Sequence, residues 1–391
     1  MIIALFIVRV LFMVVGCYYN LYILPFSDTV DFHQMGSLQF NLLFTNPHEY
    51  LVNIFHDPYT HGYSRLFEDY HSFWNNLRTT LIVKMVSIFD IFSFKNFWIN
   101  SLFFNFMMFF GSVALYKVFI SVFPQATIQL VICIFLLPSA LFFSSMIHRD
   151  GLILLSISMI IYHFYFLIKP GKTSLKRGII LTLFLLLVFF LRNFVFLALI
   201  PALIAWLIAS RFPQKAFLIF VFIYALSLLF FFVSGFISSK IDFPAYVAQR
   251  QESFIEIGKS GNSTVEVIPL IPTFRGFVSN APQAFNLSLL RPYLSKINRM
   301  EFVPFALEIF LMEILFVLLL FFHKRSGLVP PIIFFNVFFS LSMLMLAGYI
   351  VPIIGAIVRY RSIYYIFLMI PITCYIDWQK IFFSFNSNKK K

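Results

Sequence analysis

The sequence is poor in charged residues. Only 12% of its 391 residues are Asp, Glu, Lys or Arg, whereas a soluble domain carries about 25%. Hydrophobic residues make up 61% of the chain, and the mean hydropathy is +0.90. This composition excludes a soluble globular protein. It predicts an all-α integral membrane protein, because a helix satisfies its own backbone hydrogen bonds in lipid.

Cysteine is scarce as well. Cys17, Cys133 and Cys374 all fall in apolar runs, which argues against a disulfide framework or a thiolate metal site. The N-terminus lacks the basic start and the small-residue cleavage site of a signal peptide, and Arg9 interrupts its apolar run, so we predict a retained first span. There is also no internal repeat and no soluble domain. We therefore expect a single polytopic membrane domain over residues 1–391.

The apolar runs predict roughly ten transmembrane helices by the ~20-residue criterion. Two long polar segments, 27–96 and 238–304, interrupt them, and the amphipathic stretch 79–94 is predicted to be an interfacial helix. In the apolar run 179–209, Arg192-Asn193 leaves two halves that are short for a crossing, and we prefer two spans joined at Arg192 over one long tilted helix. The other predicted spans are 2–26, 97–120, 127–146, 151–168, 216–237, 305–322, 328–350 and 362–376.

The distribution of charge predicts the orientation. The net charge is +13, which the positive-inside rule and anionic lipid explain better than a nucleic-acid partner. With both termini in the cytoplasm, the basic loops 169–177, 211–215 and 324–325 and the lysine tail all lie inside. The two polar segments then form long extracytoplasmic loops, and thirteen of the sixteen carboxylates lie outside. Without the split at Arg192, the later basic loops would lie outside.

One stretch stands out, because His148-Arg149-Asp150 is an isolated ionisable triplet between the apolar runs 127–146 and 151–168. Ionisable groups near the bilayer are costly and tend to mark a site. The alternative is a short hairpin whose charges sit in headgroup water. Arg192, Arg359 and Arg361 are predicted to fall on the same side of the membrane, which favours a site.

Five arginines on the predicted outer side suit an anion, since guanidinium groups match phosphate with paired donors. The alternative for each is snorkelling to lipid headgroups. The candidates for binding a substrate or lipid phosphate are His148, Arg149, Arg192, Arg291, Arg359 and Arg361.

Three carboxylates are candidates for catalysis. Transfer from a phospholipid carrier needs a carboxylate to activate an acceptor hydroxyl. Asp28 and Asp31, just past the first span, share one face if that stretch is helical, and Asp150 is the third candidate. The alternative is that Ser27 and Asp28 simply open a helix, with Asp31 favoured by its positive end.

Metal donors are dense in one part of the first polar segment, but without a recognised ligand spacing. Solvated loop histidines are the ordinary interpretation, and a divalent cation is the alternative, so we assign no metal ligand and expect no cofactor. The donors are His56, Asp57, His61, Glu68, Asp69 and His71.

Several of these stretches are similar to those of known proteins. A cytoplasmic N-terminus, one span and an external segment that opens with Ser27-Asp28-Thr29-Val30-Asp31-Phe32-His33 resembles the GT-C superfamily of polyprenyl-phosphate-dependent glycosyltransferases, in which the first-loop Asp is the catalytic base. The run 138–151, Arg291-Pro292 and Val358-Arg359-Tyr360-Arg361 are similar to stretches of bacterial polysaccharide-assembly proteins, both glycosyltransferases and Wzy- or EpsG-like polymerases. Unlike many GT-C enzymes, the chain has no large soluble C-terminal domain.

The resemblance implies a glycosyltransferase of the bacterial inner membrane that builds cell-envelope polysaccharide. Its partners would be a polyprenyl-(pyro)phosphate-linked sugar donor, a glycan acceptor and membrane lipids. A Wzy-like polymerase that depends on Arg250, Arg275 and Arg291 is an alternative. A transporter or flippase of a lipid-linked or anionic solute is another, although such proteins usually carry an internal repeat.

Overall fold

The computed structural model describes residues 1–24, 27–54, 73–169, 174–238, 241–259, 263–297, 299–324 and 327–381. Within these ranges the chain forms sixteen α-helices with short π and 3-10 turns, and no β-strand. The helices are Ile2–Tyr18 (α1), Asp28–Thr45 (α2), Pro47–Val52 (α3), Phe73–Ser93 (α4), Phe97–Val122 (α5), Thr127–Phe135 (α6), Pro138–Ser144 (α7), Arg149–Leu167 (α8), Leu175–Leu191 (α9), Asn193–Arg211 (α10), Ala216–Ile237 (α11), Phe243–Lys259 (α12), Phe274–Phe285 (α13), Val303–Phe321 (α14), Pro331–Ile350 (α15) and Ile354–Tyr375 (α16).

Eight helical segments of the described chain are long and apolar enough to cross a membrane, and a ninth results if α6 and α7 are counted as one broken span. The prediction of a multi-span helical membrane protein is thereby confirmed. The count of ten stays a prediction, since α9 has only 17 residues. The eight segments are Ile2–Ile23, Phe97–Val122, Arg149–Leu167, Asn193–Arg211, Pro213–Ile237, Met300–Phe321, Pro331–Ile350 and Ile354–Tyr375.

The apolar run 179–209 is divided at Arg192. Helix α9 ends at Leu191, Arg192 is extended with φ −152° and ψ 93°, and α10 begins at Asn193. Two helices therefore stand where the sequence predicted two spans. Their topology across the membrane stays a prediction.

Much of the first polar segment is helical. Helix α2 follows Ser27, whose backbone is extended and whose side chain makes no capping hydrogen bond. Asp28 and Asp31 lie in the first turn of α2. Helix α2 packs on α4, where a Cβ on Gly36 would lie only 2.5 Å from Val86 Cγ1. Helix α4 includes most of the predicted interfacial stretch 79–94. The metal-donor stretch, from residue 56 to residue 71, lies outside the described residues.

The chain forms two compact units, each discontinuous in sequence. Unit 1 comprises residues 1–118 and 140–196, and unit 2 comprises residues 119–139 and 197–391. In unit 1, α8 packs on α9 and α2 on α4. In unit 2, α16 is the most buried candidate span and packs against α6, α14 and α15. The single membrane domain expected from the sequence stays a prediction.

Candidate functional site

Four of the predicted site residues meet in unit 1, at the N-terminus of α8. His148 is extended, with φ −151° and ψ 147°, and its Nδ1 accepts a hydrogen bond from the Asp150 backbone N–H at 3.2 Å, which caps the helix. Asp150 falls in the first turn, where the helix dipole favours a carboxylate. This local structure turns the side chains of His148 and Asp150 toward each other.

The side chains of Asp28, His148, Asp150 and Arg192 form what we call the histidine–carboxylate cluster. Asp150 Oδ2 lies 2.9 Å from His148 Nδ1, and Asp150 Oδ1 lies 2.5 Å from Arg192 Nη2. On the other side of the imidazole ring, His148 Nε2 lies 3.4 Å from Asp28 Oδ2. Side-chain exposure is 1% for Asp150, 8% for His148 and 9% for Arg192, but 47% for Asp28. Asp28 is thus the open end of a buried chain of ionisable groups.

The chemistry of this arrangement follows from its order. Because His148 Nδ1 accepts from the Asp150 backbone N–H, the neutral ring carries its proton on Nε2, which faces Asp28. Arg192 balances the charge of Asp150, so that the buried carboxylate can stay ionised. The cluster can therefore orient the Asp28 carboxylate, which accepts a proton at the open end.

Arg149 and Asp31 lie beside the cluster. The guanidinium carbon of Arg149 is 5.1 Å from the centre of the Phe32 ring of α2, a cation–π distance. Asp31 is exposed in the same first turn of α2 as Asp28. The sequence did not distinguish Asp28 from Asp31. Of these two aspartates, the structure brings Asp28 within 4 Å of His148.

The remaining predicted arginines, Arg291, Arg359 and Arg361, lie in unit 2. Arg361 was expected in a short segment at the lip of the bundle, but it is fully buried within α16. Its Nη1 donates to the backbone carbonyls of Arg291, at 2.6 Å, and Ser288, at 3.2 Å. The guanidinium satisfies carbonyls that remain unpaired where the π-helical turn Asn286–Leu290 ends. A single anion site shared by all five arginines stays a prediction.

Arg9 is a residue whose contacts the sequence did not predict. In α1 it is 3% exposed, its Nε donates to Asn105 Oδ1 at 2.5 Å, and its Nη2 donates to the Ser144 carbonyl at 2.5 Å and to Ser144 Oγ at 3.0 Å. Ser144 ends α7, four residues before His148. The signal was present as a lone arginine in an apolar run, which marks a polar partner inside the bundle.

A second buried carboxylate in unit 1 is Asp90 of α4. Its Oδ1 accepts from Asn100 Nδ2 at 2.5 Å and from Ser93 Oγ at 3.2 Å, and its Oδ2 accepts from Ser37 Oγ at 3.0 Å. Asn100 Nδ2 also lies 3.2 Å from His33 Nδ1. Burial lowers the pKa of His33, and the Asp90 charge partly offsets this effect.

Lys84 ties three helices of unit 1 together. Its ammonium group donates to Gln39 Oε1 at 2.8 Å, to Asn53 Oδ1 at 2.7 Å and to the Tyr50 carbonyl, and it lies over the Tyr50 ring. Burial lowers the pKa of Lys84 to about 8, although Glu49 acts in the opposite direction. All three donor hydrogens are engaged, so we interpret Lys84 as structural.

Among the described residues, no group of three or more His, Cys, Asp or Glu side chains is arranged to hold a metal ion. No family model matches the sequence, and no curated protein and no solved structure is significantly similar to it.

Proposed function

We propose that this chain is a membrane glycosyltransferase. It transfers a sugar from a polyprenyl-(pyro)phosphate carrier to a glycan acceptor at the outer face of a bacterial inner membrane, with both termini in the cytoplasm. The observation that carries the proposal is the half-exposed Asp28 carboxylate, which contacts the buried His148; His148 in turn contacts Asp150, and Asp150 contacts Arg192. Glycosyl transfer to a hydroxyl needs a carboxylate of this kind as the base and a cation for the leaving phosphate.

Each group has a role in this proposal. Asp28 takes the proton of the acceptor hydroxyl as its oxygen forms the bond to the anomeric carbon. The bond from that carbon to the phosphate oxygen breaks, and the phosphate leaves with the electron pair. Arg149, half-buried next to His148, is the cation for that charge. Arg192 was predicted to bind phosphate, but its contact with Asp150 favours a role inside the protein instead.

His148 and Asp150 act through Asp28. Asp150 holds the His148 ring, and the ring places a donor opposite the Asp28 carboxylate. After transfer, the proton passes from the half-exposed Asp28 directly to solvent, which restores the base.

The test is to profile lipid-linked glycans in cells that lack the chain and carry either the wild type or a variant. We expect Asp28→Asn to reduce product by about 10²-fold or more, with unchanged protein in the membrane. Asp31→Asn is the matched control, because it removes an exposed carboxylate from the same helical turn, and it should retain activity. Loss in Asp31→Asn alone would move the base to Asp31, and full activity in both variants would refute the transfer mechanism.

Two other outcomes identify the rival functions. A buried chain of ionisable groups at a membrane helix also suits a proton pathway in a transporter. A transporter would leave the mass of the lipid-linked sugar unchanged and alter only the side of the membrane on which it accumulates. A polymerase would convert one repeat unit into a ladder of lengths, and that ladder would depend on Arg291 more than on Asp28.

A further inference from the structure

A pocket of about 340 Å³ lies in unit 2, and residues of the second polar segment line it, from Val265 to Arg291. This volume is at the lower end of the range for small-ligand sites, about 300–1,000 Å³. Four polar side chains line it, and the rest of its wall is apolar. The polar lining comes from Glu266, Gln283, Asn286 and Arg291.

Arg291 is held in place from two directions. Asn286 Oδ1 accepts from Arg291 Nε at 3.1 Å, and Asn286 Nδ2 donates to Tyr293 Oη at 2.5 Å, which fixes the amide that holds the guanidinium. The Arg291 carbonyl accepts from the buried Arg361 at 2.6 Å. Fixing both the backbone and the side chain lowers the entropy cost of binding.

Arg291 lines the pocket, and in the described chain its guanidinium donates through Nε and lies 5.4 Å from the centre of the Tyr293 ring. The paired terminal nitrogens of a guanidinium match a carboxylate or a phosphate in bidentate geometry.

The rest of the lining suits hydroxyl groups. Gln283 accepts from the Ile268 N–H at 2.9 Å and donates back to the Ile268 carbonyl at 3.3 Å, so its amide is a fixed part of the wall. The exposed Glu266 is acceptor-only when ionised and can take hydrogen bonds from hydroxyls. The apolar wall, which includes Pro282 and Leu287, suits the C–H face of a sugar ring.

We infer that this pocket binds a hydroxylated anion, namely a small sugar that carries a carboxylate or a phosphate. Arg291 pairs with the charge, Glu266 and the amides bind the hydroxyls, and the ring lies on the apolar wall. The inference rests on the pocket and its residues, and it does not need the transfer reaction proposed for unit 1. It makes unit 2 a binding site in its own right.

The test uses the full chain in lipid nanodiscs and calorimetric titration with glucuronic acid, glucose 1-phosphate, glucose and inorganic phosphate. We expect the first two to bind at least ten times more tightly than glucose, and the preference between them to show whether the anion is a carboxylate or a phosphate. Glucose binding as tightly as both acids would overturn the assignment of Arg291. Inorganic phosphate binding as tightly as glucose 1-phosphate would overturn the role of the hydroxyls, and no binding at all would overturn the site.

Variants locate the binding. Arg291→Gln should weaken the preferred acid at least tenfold, whereas Arg275→Gln removes an exposed arginine of α13 and should leave affinity unchanged. Because Arg291→Gln also loses the bond to Asn286, Val265→Trp is a second variant, which fills the pocket, keeps the guanidinium and should abolish binding. Equal losses in the Arg275 and Arg291 variants, or retained affinity in Val265→Trp, would place the ligand elsewhere. Asp28→Asn should bind normally, which separates this result from that of the transfer assay.

Discussion

The contact between Asp150 and Arg192 makes a quantitative prediction about stability. The two side chains are 1% and 9% exposed, and their charged atoms are 2.5 Å apart. Removal of one partner from a buried ion pair leaves the other charge without compensation and costs about 3–5 kcal/mol. We expect Asp150→Asn to lose an amount in this range, because it removes the carboxylate that lies against a buried guanidinium, which stays charged at any working pH.

Arg192→Gln should also lose stability, because it removes the guanidinium that lies against the buried Asp150 carboxylate. The double variant Asp150→Asn/Arg192→Gln removes both charges and should recover most of the stability.

The assay is the free energy of unfolding from denaturant titration in mixed micelles, with wild type, both single variants and the double variant. Lys259→Gln is the matched control, because it breaks a pair with Glu256 at the same 2.5 Å but with both side chains more than 60% exposed. Such a surface pair contributes at most about 1 kcal/mol. A coupling energy between Asp150 and Arg192 no larger than that would refute the burial argument.

Two further predictions concern stability. Burial lowers the pKa of His33, so on acidification the unfolded chain takes up a proton near the ordinary pKa of ~6.5 before the folded chain does. The free energy of unfolding should therefore fall as the pH drops below that value. His33→Gln should flatten this dependence of the unfolding free energy on pH, and an unchanged dependence would contradict the assignment. Gly348→Ala should lower the free energy of unfolding by about 1–3 kcal/mol, because its Cβ would collide with a backbone carbonyl of α13. Gly178→Ala should raise the free energy of unfolding by about 0.5–1 kcal/mol, because a Cβ at this position of α9 would meet no described atom within 4 Å. Thermal unfolding of both glycine variants in detergent checks this difference, and equal effects would show that α13 and α15 are not in close contact.

The fold could be predicted from the sequence where the signal is local. Apolar runs predicted the membrane helices, since hydropathy over some twenty residues is set by the run itself. The break at Arg192 was visible, because a charge divides a run that is too short for two full spans. The start of α2 at Asp28 matches the alternative interpretation of Ser27 and Asp28 as a helix start, although the Ser27 side chain makes no capping hydrogen bond.

The rest depends on residues that are far apart in the sequence. Arg9 meets Asn105 and Ser144 across 96 and 135 residues, and Arg361 meets the Arg291 carbonyl across 70. Nothing in the local pattern distinguishes these arginines from ones that reach headgroups, because only tertiary packing brings their acceptors into place. The same holds for Asp28 and Asp31, which look equivalent in sequence and differ only through the position of His148.

The contacts of Arg9 have a consequence for how the protein is made. As α1 enters the bilayer, its arginine costs about 2.5–3.5 kcal/mol on insertion scales, which the Leu, Ile, Phe and Val residues of the helix offset at about 0.3–0.6 kcal/mol each. Asn105 is synthesised 96 residues later, a delay of about 5–20 s at 5–20 residues per second. Until then the Arg9 guanidinium lacks this acceptor, which α5 supplies. We expect a substitution at Asn105 to deprive Arg9 of the acceptor both during synthesis and in the finished protein.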